Sequence, residues 1–281
     1  MKIVAVIIVF MVMVFSLVTS LLPSAPGQQH TNPVVELGKE ITKPLANVDD
    51  LGPEISAVLD RVDVNIPGIS LGGKPDGVMN ALIDHTNGIF SHLDLPRGNF
   101  ASTLVENAQF NGALLDEAVF EGATGSNPNF AGARMAKANL NASAMPGGDF
   151  TGAELRETVA RAGNFDGATF HGGDISFSSF SGASMRETIL TETYAQGAIF
   201  VTADMTSADF SAADMTGVRF DGAILNNTNF TGTNLDRAQF RAAQLHGADL
   251  SGALNLTSEQ LSKACADGAT KFPEGVTAPH C

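Results

Sequence analysis

From Phe100 to Leu250 every fifth residue is apolar, with Gly125 as the exception. The 31 positions in this series never slip register. A small residue stands two places before each centre, usually Ala as at Ala108, Ala113, Ala118, Ala133 and Ala153, otherwise mostly Gly, Ser or Thr. The remaining places are mostly polar or Gly. A helix requires apolar positions at a period near 3.6 and an ordinary strand at a period of 2, so an unbroken period of five rejects both. A short period sustained this long predicts stacked repeats. If the centre and the small residue point inward across a short extended segment, the residue between them points outward. The next two residues then make a corner.

A second rhythm lies on the first. Twelve of the centres are Phe at multiples of ten, from Phe100 to Phe240, and Phe165 is the one Phe centre out of that phase. Alternate sides of the coil therefore carry rings, with slimmer Leu, Met or Ile between them, which fits two or four sides per turn. Gly125 with Pro128, Pro146, and the small centres Ala160 and Ala195 depart from the pattern and read as local bulges or loosely filled layers.

Blocks such as Ala208-Asp209-Phe210-Ser211-Ala212, Ala223-Ile224-Leu225-Asn226-Asn227 and Ala248-Asp249-Leu250-Ser251-Gly252 resemble the Ala-(Asp/Asn)-Leu-x-x unit of pentapeptide-repeat proteins. The resemblance implies an all-β solenoid, a right-handed four-sided β-helix with four pentapeptides per turn. Over residues 96–255 that gives about eight coils, and at ~4.8 Å per stacked strand a rod roughly 37 Å long.

The flanks follow other patterns. Residues 3–22 carry no charge, only Ser16, Thr19 and Ser20 interrupt the apolar run, and a helix of ~20 apolar residues spans a bilayer. Residues 1–25 are thus a membrane anchor or a secretory signal, with small residues at Ser24 and Ala25 near a cleavage point and Pro26 opposing cleavage. Lys2 before the segment, and no cation after it until Lys39, favour a body outside the cytoplasm. The body is therefore expected to be membrane-anchored outside the cytoplasm, or periplasmic or secreted after cleavage.

Residues 26–95 read as a stalk with N-terminal capping helices. Segments 50–62 and 76–93 have helical apolar spacing, the second through Val78, Met79, Leu82, Ile83, Ile89, Phe90 and Leu93. A helix there would cover the open first coil. Residues 256–281 read as a C-terminal cap with a helix started by the capping box Thr257 and Gln260, and they resemble the tail that closes many bacterial pentapeptide-repeat proteins. Cys265 and Cys281 are the only cysteines, and a disulfide between them would contribute roughly 3 kcal/mol by loop entropy. Two free thiols are the alternative.

The formal charge of −14 argues against direct nucleic-acid binding, which needs a basic stripe. Residues on one side of a four-sided rod meet only at separations near twenty. His171 and His246, the histidines within the repeats, are 75 apart and fall on different sides, while His30, His85, His92 and His280 lie outside them, so no metal site is expected. Nucleophile-elbow and phosphate-loop motifs are absent from the sequence. Glycines at 112, 132, 152 and 172 suit corners. Asp209, Asn229 and Asp249 read as one structural ladder, and Glu117, Lys137 and Glu157 as another.

No catalytic residue or cofactor is expected. The less ordinary surface feature is apolar: Phe177, Tyr194, Ile199 and Val201 occupy outward places and share one edge, whereas Ile189 falls on the opposite side. The function expected is a non-enzymatic scaffold that binds a protein, either a different partner or a second copy of itself. The alternative comes from the resemblance: some acidic pentapeptide-repeat proteins imitate duplex DNA and bind type II topoisomerases such as gyrase. Residues 96–255 hold 17 acidic and 9 basic side chains, so the rod is acidic but diluted.

Overall fold

The computed structural model describes residues 85–281. From Ile89 to Asn234 each residue just before a centre forms a parallel bridge with the residue twenty places on, for example Asn99 with Val119 and Tyr194 with Asp214. Twenty residues, or four pentapeptides, therefore make one coil. The span 85–254 is 170 residues, or eight and a half coils.

Backbone hydrogen bonding explains why five residues suffice for a side. The centre amide donates to the coil above, as from Phe100 to Val119 O at 2.7 Å, and the bridge residue donates to the coil below, as from Val119 to Gly98 O at 2.8 Å. At the corner, the amide of the small residue closes a turn onto the preceding centre, as from Ala108 to Val105 O at 3.1 Å. That turn needs a positive φ at its third residue. Gly112, Gly132, Gly152 and Gly172 supply it at 63° to 64°. The amide after the centre is left over, and the Asp or Asn before the centre accepts from it, as in Ala131 to Asn129 and Thr151 to Asp149, both 2.9 Å. The acidic or amide residue of the repeat thus completes the backbone pairing that burial demands.

The interior is two columns of rings. Phe90, Phe110, Phe130, Phe150 and Phe170 stack at 4.7 to 5.0 Å with planes within 9°. Phe100 and Phe120 start the opposing column, meeting the first edge-on, as Phe100 does Phe110 at 5.2 Å and 88°. The rhythm of ten is this pair of columns. The opposing column is interrupted by Leu140 and Ala160, and there the out-of-phase Phe165 makes edge contacts with Phe150, Phe170 and Phe180 at 6.1, 6.2 and 5.8 Å. Ala160 and Phe165 compensate in one layer, so that layer is filled. Small hydroxyl residues replace Ala inside at little cost because the chain itself accepts from them: Thr158, Thr193 and Thr233 donate to Met135, Phe170 and Phe210 carbonyls at 2.7 to 2.9 Å. Gly125 is required at its centre, since a Cβ there would collide with the backbone of Val105 and Glu106.

Two expectations about the ends are corrected. Residues 85–93 are not helical: Phe90 is buried and stacked on Phe110, and Ile89 bridges to Gln109, so the solenoid is already formed before residue 96. Ile89, Phe90 and Leu93 fit a helical face by spacing, but the register of five passes through Phe90 and Leu95 as well, and stacking on a ready ring column decides the outcome. At the other end the helix is a single turn, α1 (Ser258–Leu261). Thr257 and Gln260 do form the capping box, and Gln260 Nε2 also donates to the carbonyls of Leu235 and Ala238 at 2.8 and 3.1 Å. The rest of the tail does not stay helical; it continues the ladder with a shifted register, Gln244 bridging to Cys265 and Asp249 to Lys271.

Among the described residues no helix is long and apolar enough to cross a membrane. The apolar segment 3–22, the helix expected at 50–62 and the first part of 76–93 lie outside the described residues.

Candidate functional site

The four apolar residues singled out in the sequence are divided by the structure into an exposed pair and a half-buried pair. Phe177 is 55% and Tyr194 59% exposed, whereas Ile199 and Val201 are half-buried. Tyr194 stands on the side defined by the ladder Asp174, Tyr194, Asp214, and Ile199 on the next side, in the ladder Ser179, Ile199, Arg219. Phe177 is at the corner between these sides, one coil below, with its ring 2.9 Å from where a Cβ of Gly197 would stand. Val201 is at the far corner of the Ile199 side, so the four lie across one side rather than along one edge. Ile189, 45% exposed, is in the ladder Thr169, Ile189, Asp209 on the side opposite Ile199.

Phe177 has a φ of 61°. A bulky residue in the left-handed region is an outlier. The same corner in other coils holds Arg97, Glu117, Lys137, Glu157, Gly197, Gly217 and Arg237, so an aromatic there is specific to one coil. Below it the corner is a ladder of opposite charges, Arg97 to Glu117 at 2.8 Å and Lys137 to Glu157 at 3.8 Å. Arg156 reaches over the Phe177 ring, 5.5 Å from its centre, and pairs with Asp174 at 3.0 Å.

The surroundings of Tyr194 are anionic. Burial pushes Asp174 up, but hydrogen bonds from Ser176 and Arg156 outweigh it and hold the carboxyl below the ordinary range. Asp214, on the next coil, is likewise pushed up by burial and brought down further by Thr216 and Gln196. Tyr194 thus sits between two carboxylates that stay ionised, with an aromatic ring at the neighbouring corner.

At the C-terminal end Cys265 and Cys281 are joined as a disulfide with Cα atoms 5.6 Å apart. Against them lies His246, with Nε2 at 3.1 Å from Cys265 Sγ and 3.5 Å from Cys281 Sγ. Sequence reasoning compared histidines only with one another and so missed this cluster. The available signal was that Cys265 follows His246 by nineteen residues, close to one coil, but the one-residue shift after Leu254 blurred the register. Elsewhere the ladders read from the sequence are present: Asn229 donates to Asp209 at 3.1 Å and bridges to Asp249, and Lys137 lies 3.8 Å from Glu157.

A shallow cleft of about 510 Å³ between the last sides and α1 is lined by Arg219, Arg237, Arg241 and Lys263 together with Asp221 and Glu259. Asp221 neutralises part of it, with Arg219 at 3.1 Å and Arg241 at 3.9 Å.

Among solved structures, HetL of the cyanobacterium Nostoc sp. strain PCC 7120, a pentapeptide repeat protein involved in heterocyst differentiation regulation, is 19% identical, with 62% of this chain and 85% of HetL covered and a TM-score of 0.38. Rfr23 from the cyanobacterium Cyanothece 51142 is 21% identical over 41% of this chain and 63% of its own, TM-score 0.30. A trypsin-treated form of QnrB1, a plasmid-mediated fluoroquinolone resistance protein, is 16% identical over 68% of this chain and 90% of its own, TM-score 0.44. No curated protein sequence matches the chain. The family described as pentapeptide repeats matches in 8 copies, whose segments together run from 106 to 252 without a gap. With more than half of its length in those matches, the chain belongs to the pentapeptide-repeat family and its rod is that family's right-handed β-helix.

Proposed function

We propose that the chain is a non-catalytic scaffold, tethered to a membrane or exported, whose rod presents the side around Phe177 and Tyr194 to a protein partner. The observation that carries this reading is Phe177: a large apolar side chain, over half exposed, kept in a backbone conformation that glycine would adopt without strain. Every residue of that corner shares the conformation; what sets Phe177 apart is its exposed ring, and exposed aromatics are the usual anchors of protein interfaces. Asp174 and Asp214 flanking Tyr194 in its ladder favour a partner that places a cationic group beside an apolar one.

The DNA-mimic alternative calls for a continuous anionic surface. Here the cations of residues 96–255 interrupt it, and each of them except Arg161 lies within 4.0 Å of a carboxylate. Arg161 instead reaches Ser179, at 3.3 Å.

The test is in-cell photo-crosslinking from a photoreactive residue at position 194, with position 164 on another side as control. A discrete adduct from 194, lost when Phe177→Gly is added, supports the reading. An adduct of twice the chain mass would identify the partner as a second copy. Equal crosslinking from 164 and 194, or insensitivity to Phe177→Gly, would remove the patch from consideration.

A further inference from the structure

We propose that His246, Cys265 and Cys281, when the cysteines are reduced, form a binding site for a thiolate-preferring cation of the zinc type. The three donor atoms already lie within 4.8 Å of one another. A tetrahedral ion with Zn–N near 2.0 to 2.1 Å and Zn–S near 2.3 Å sets each N-to-S edge at about 3.5 Å and the S-to-S edge at about 3.8 Å. The two N-to-S distances, 3.1 and 3.5 Å, are close to that edge. Only the sulfur pair has to open, and the 5.6 Å between the Cα atoms leaves room for it.

The backbone holds two of the ligands in place. His246 donates its amide to Asn226 Oδ1 at 3.0 Å, while its carbonyl accepts from Asn227 at 2.8 Å. Cys265 is locked in the ladder by Ala243 O and the Leu245 amide, both 2.8 Å. Cys281 is held more loosely, its amide donating one hydrogen bond of 3.3 Å to Ala266 O, and supplies the movement. His246 and Cys265 are half-buried and Cys281 is exposed, so an ion can reach the site and a water completes its coordination.

The chemistry balances with an external dithiol as reductant. The dithiol gives two electrons and two protons to the Cys265–Cys281 bond and becomes a disulfide, leaving two cysteine thiols. On binding, each thiol releases its proton and neutral His246 donates its Nε2 lone pair, so two thiolates neutralise the divalent ion. Disulfide and metal are alternatives at one place: the disulfide ties Cys281 to Cys265 within the tail, and the metal would in addition tie both to His246 of the last coil.

The full-length chain, reduced with a dithiol that is then removed, is titrated with Co²⁺ as an optical probe and then with Zn²⁺. The expected result is one equivalent of Co²⁺ with a thiolate charge-transfer band, displaced by Zn²⁺, and no binding by the oxidised protein. Cys265→Ser abolishes the band, and His246→Ala weakens affinity at least tenfold while leaving the thiols titratable. Thermal melting of each variant shows that the rod is intact. Binding by reduced protein no tighter than that of the Cys265→Ser, Cys281→Ser double variant would overturn the site, as would a His246→Ala affinity equal to wild type.

Discussion

Phe177 holds a conformation whose cost is about 1 to 2 kcal/mol for a residue with a Cβ. Replacing it by Gly removes that strain but forfeits the Arg156 contact, about 0.5 to 1 kcal/mol at an exposed site, and raises the entropy of the unfolded chain. These effects are similar in size, so Phe177→Gly is expected to leave the melting temperature within a few degrees of wild type, as differential scanning calorimetry would register, while partner capture is lost. A large fall in stability would instead make Phe177 a structural residue. Two acids at the tail behave differently. Hydrogen bonds from Lys271 and Ser251 hold Asp249 down to about 2, and the Gly247 amide with Thr270 holds Asp267 down to about 2. A carboxyl depressed in the folded state adds stability that is complete above its unfolded value of about 3.9 and is lost as pH falls through its folded value. The tail contacts are therefore expected to weaken between about pH 4 and pH 2. Melting temperatures across that window should fall less steeply in an Asp249→Asn, Asp267→Asn variant, and an equal slope would assign the acid sensitivity to other carboxylates.

At the scale of the element, the coil was legible because each of its five places has its own physical task. The centre fills the core, the small residue lets the corner close, the Asp or Asn caps a spare amide, and the corner pair supplies a positive φ. A column is visible as a period, but a layer is not, because its members are separated by the five-residue step and compensate in volume. Ala160 and Phe165 are the case in point: singly they read as irregularities, and in space the ring of one occupies the gap left by the other. Phe165→Ala is expected to cost about 3 to 5 kcal/mol, the usual penalty for a buried ring, since Ala160 cannot fill the space. Chemical denaturation of the pair Phe165→Ala and Phe165→Ala with Ala160→Phe tests this; partial recovery in the double variant is the signature of a shared layer, and further loss would argue that the two sides are not interchangeable. The start of the rod is ambiguous in sequence for a related reason, in that Phe90 belongs at once to a helical spacing with Ile89 and Leu93 and to the period of five with Leu95. The metal-ligand cluster was hidden by the register shift beyond Leu254, where the sequence no longer reports which residues sit above which.

At the scale of the whole molecule the tail offers a chemical reading of compartment. The apolar segment 3–22 and the late first cations argue for a body outside the cytoplasm. Disulfides persist in such compartments and are reduced in the cytosol. Cys265 and Cys281 would thus be a covalent link in one compartment and, with His246, a metal site in the other, and their state in the cell reports where the rod works. The expected outcome is an oxidised pair: cells quenched in acid and treated with a thiol-blocking reagent should yield a chain that gains no label until it is reduced, and reporters fused after residue 281 should be active only outside the cytoplasm. If both thiols label at once and the reporter works only inside, the export reading fails, and the rod becomes accessible to cytoplasmic topoisomerases. In that event the interleaved Arg and Asp side chains still predict no effect of the purified rod on gyrase supercoiling, because a partner shaped for duplex DNA would meet Arg134, Arg156 and Arg186 where it needs negative charge. Inhibition or quinolone protection at stoichiometric rod would show that this surface is read as DNA despite its cations.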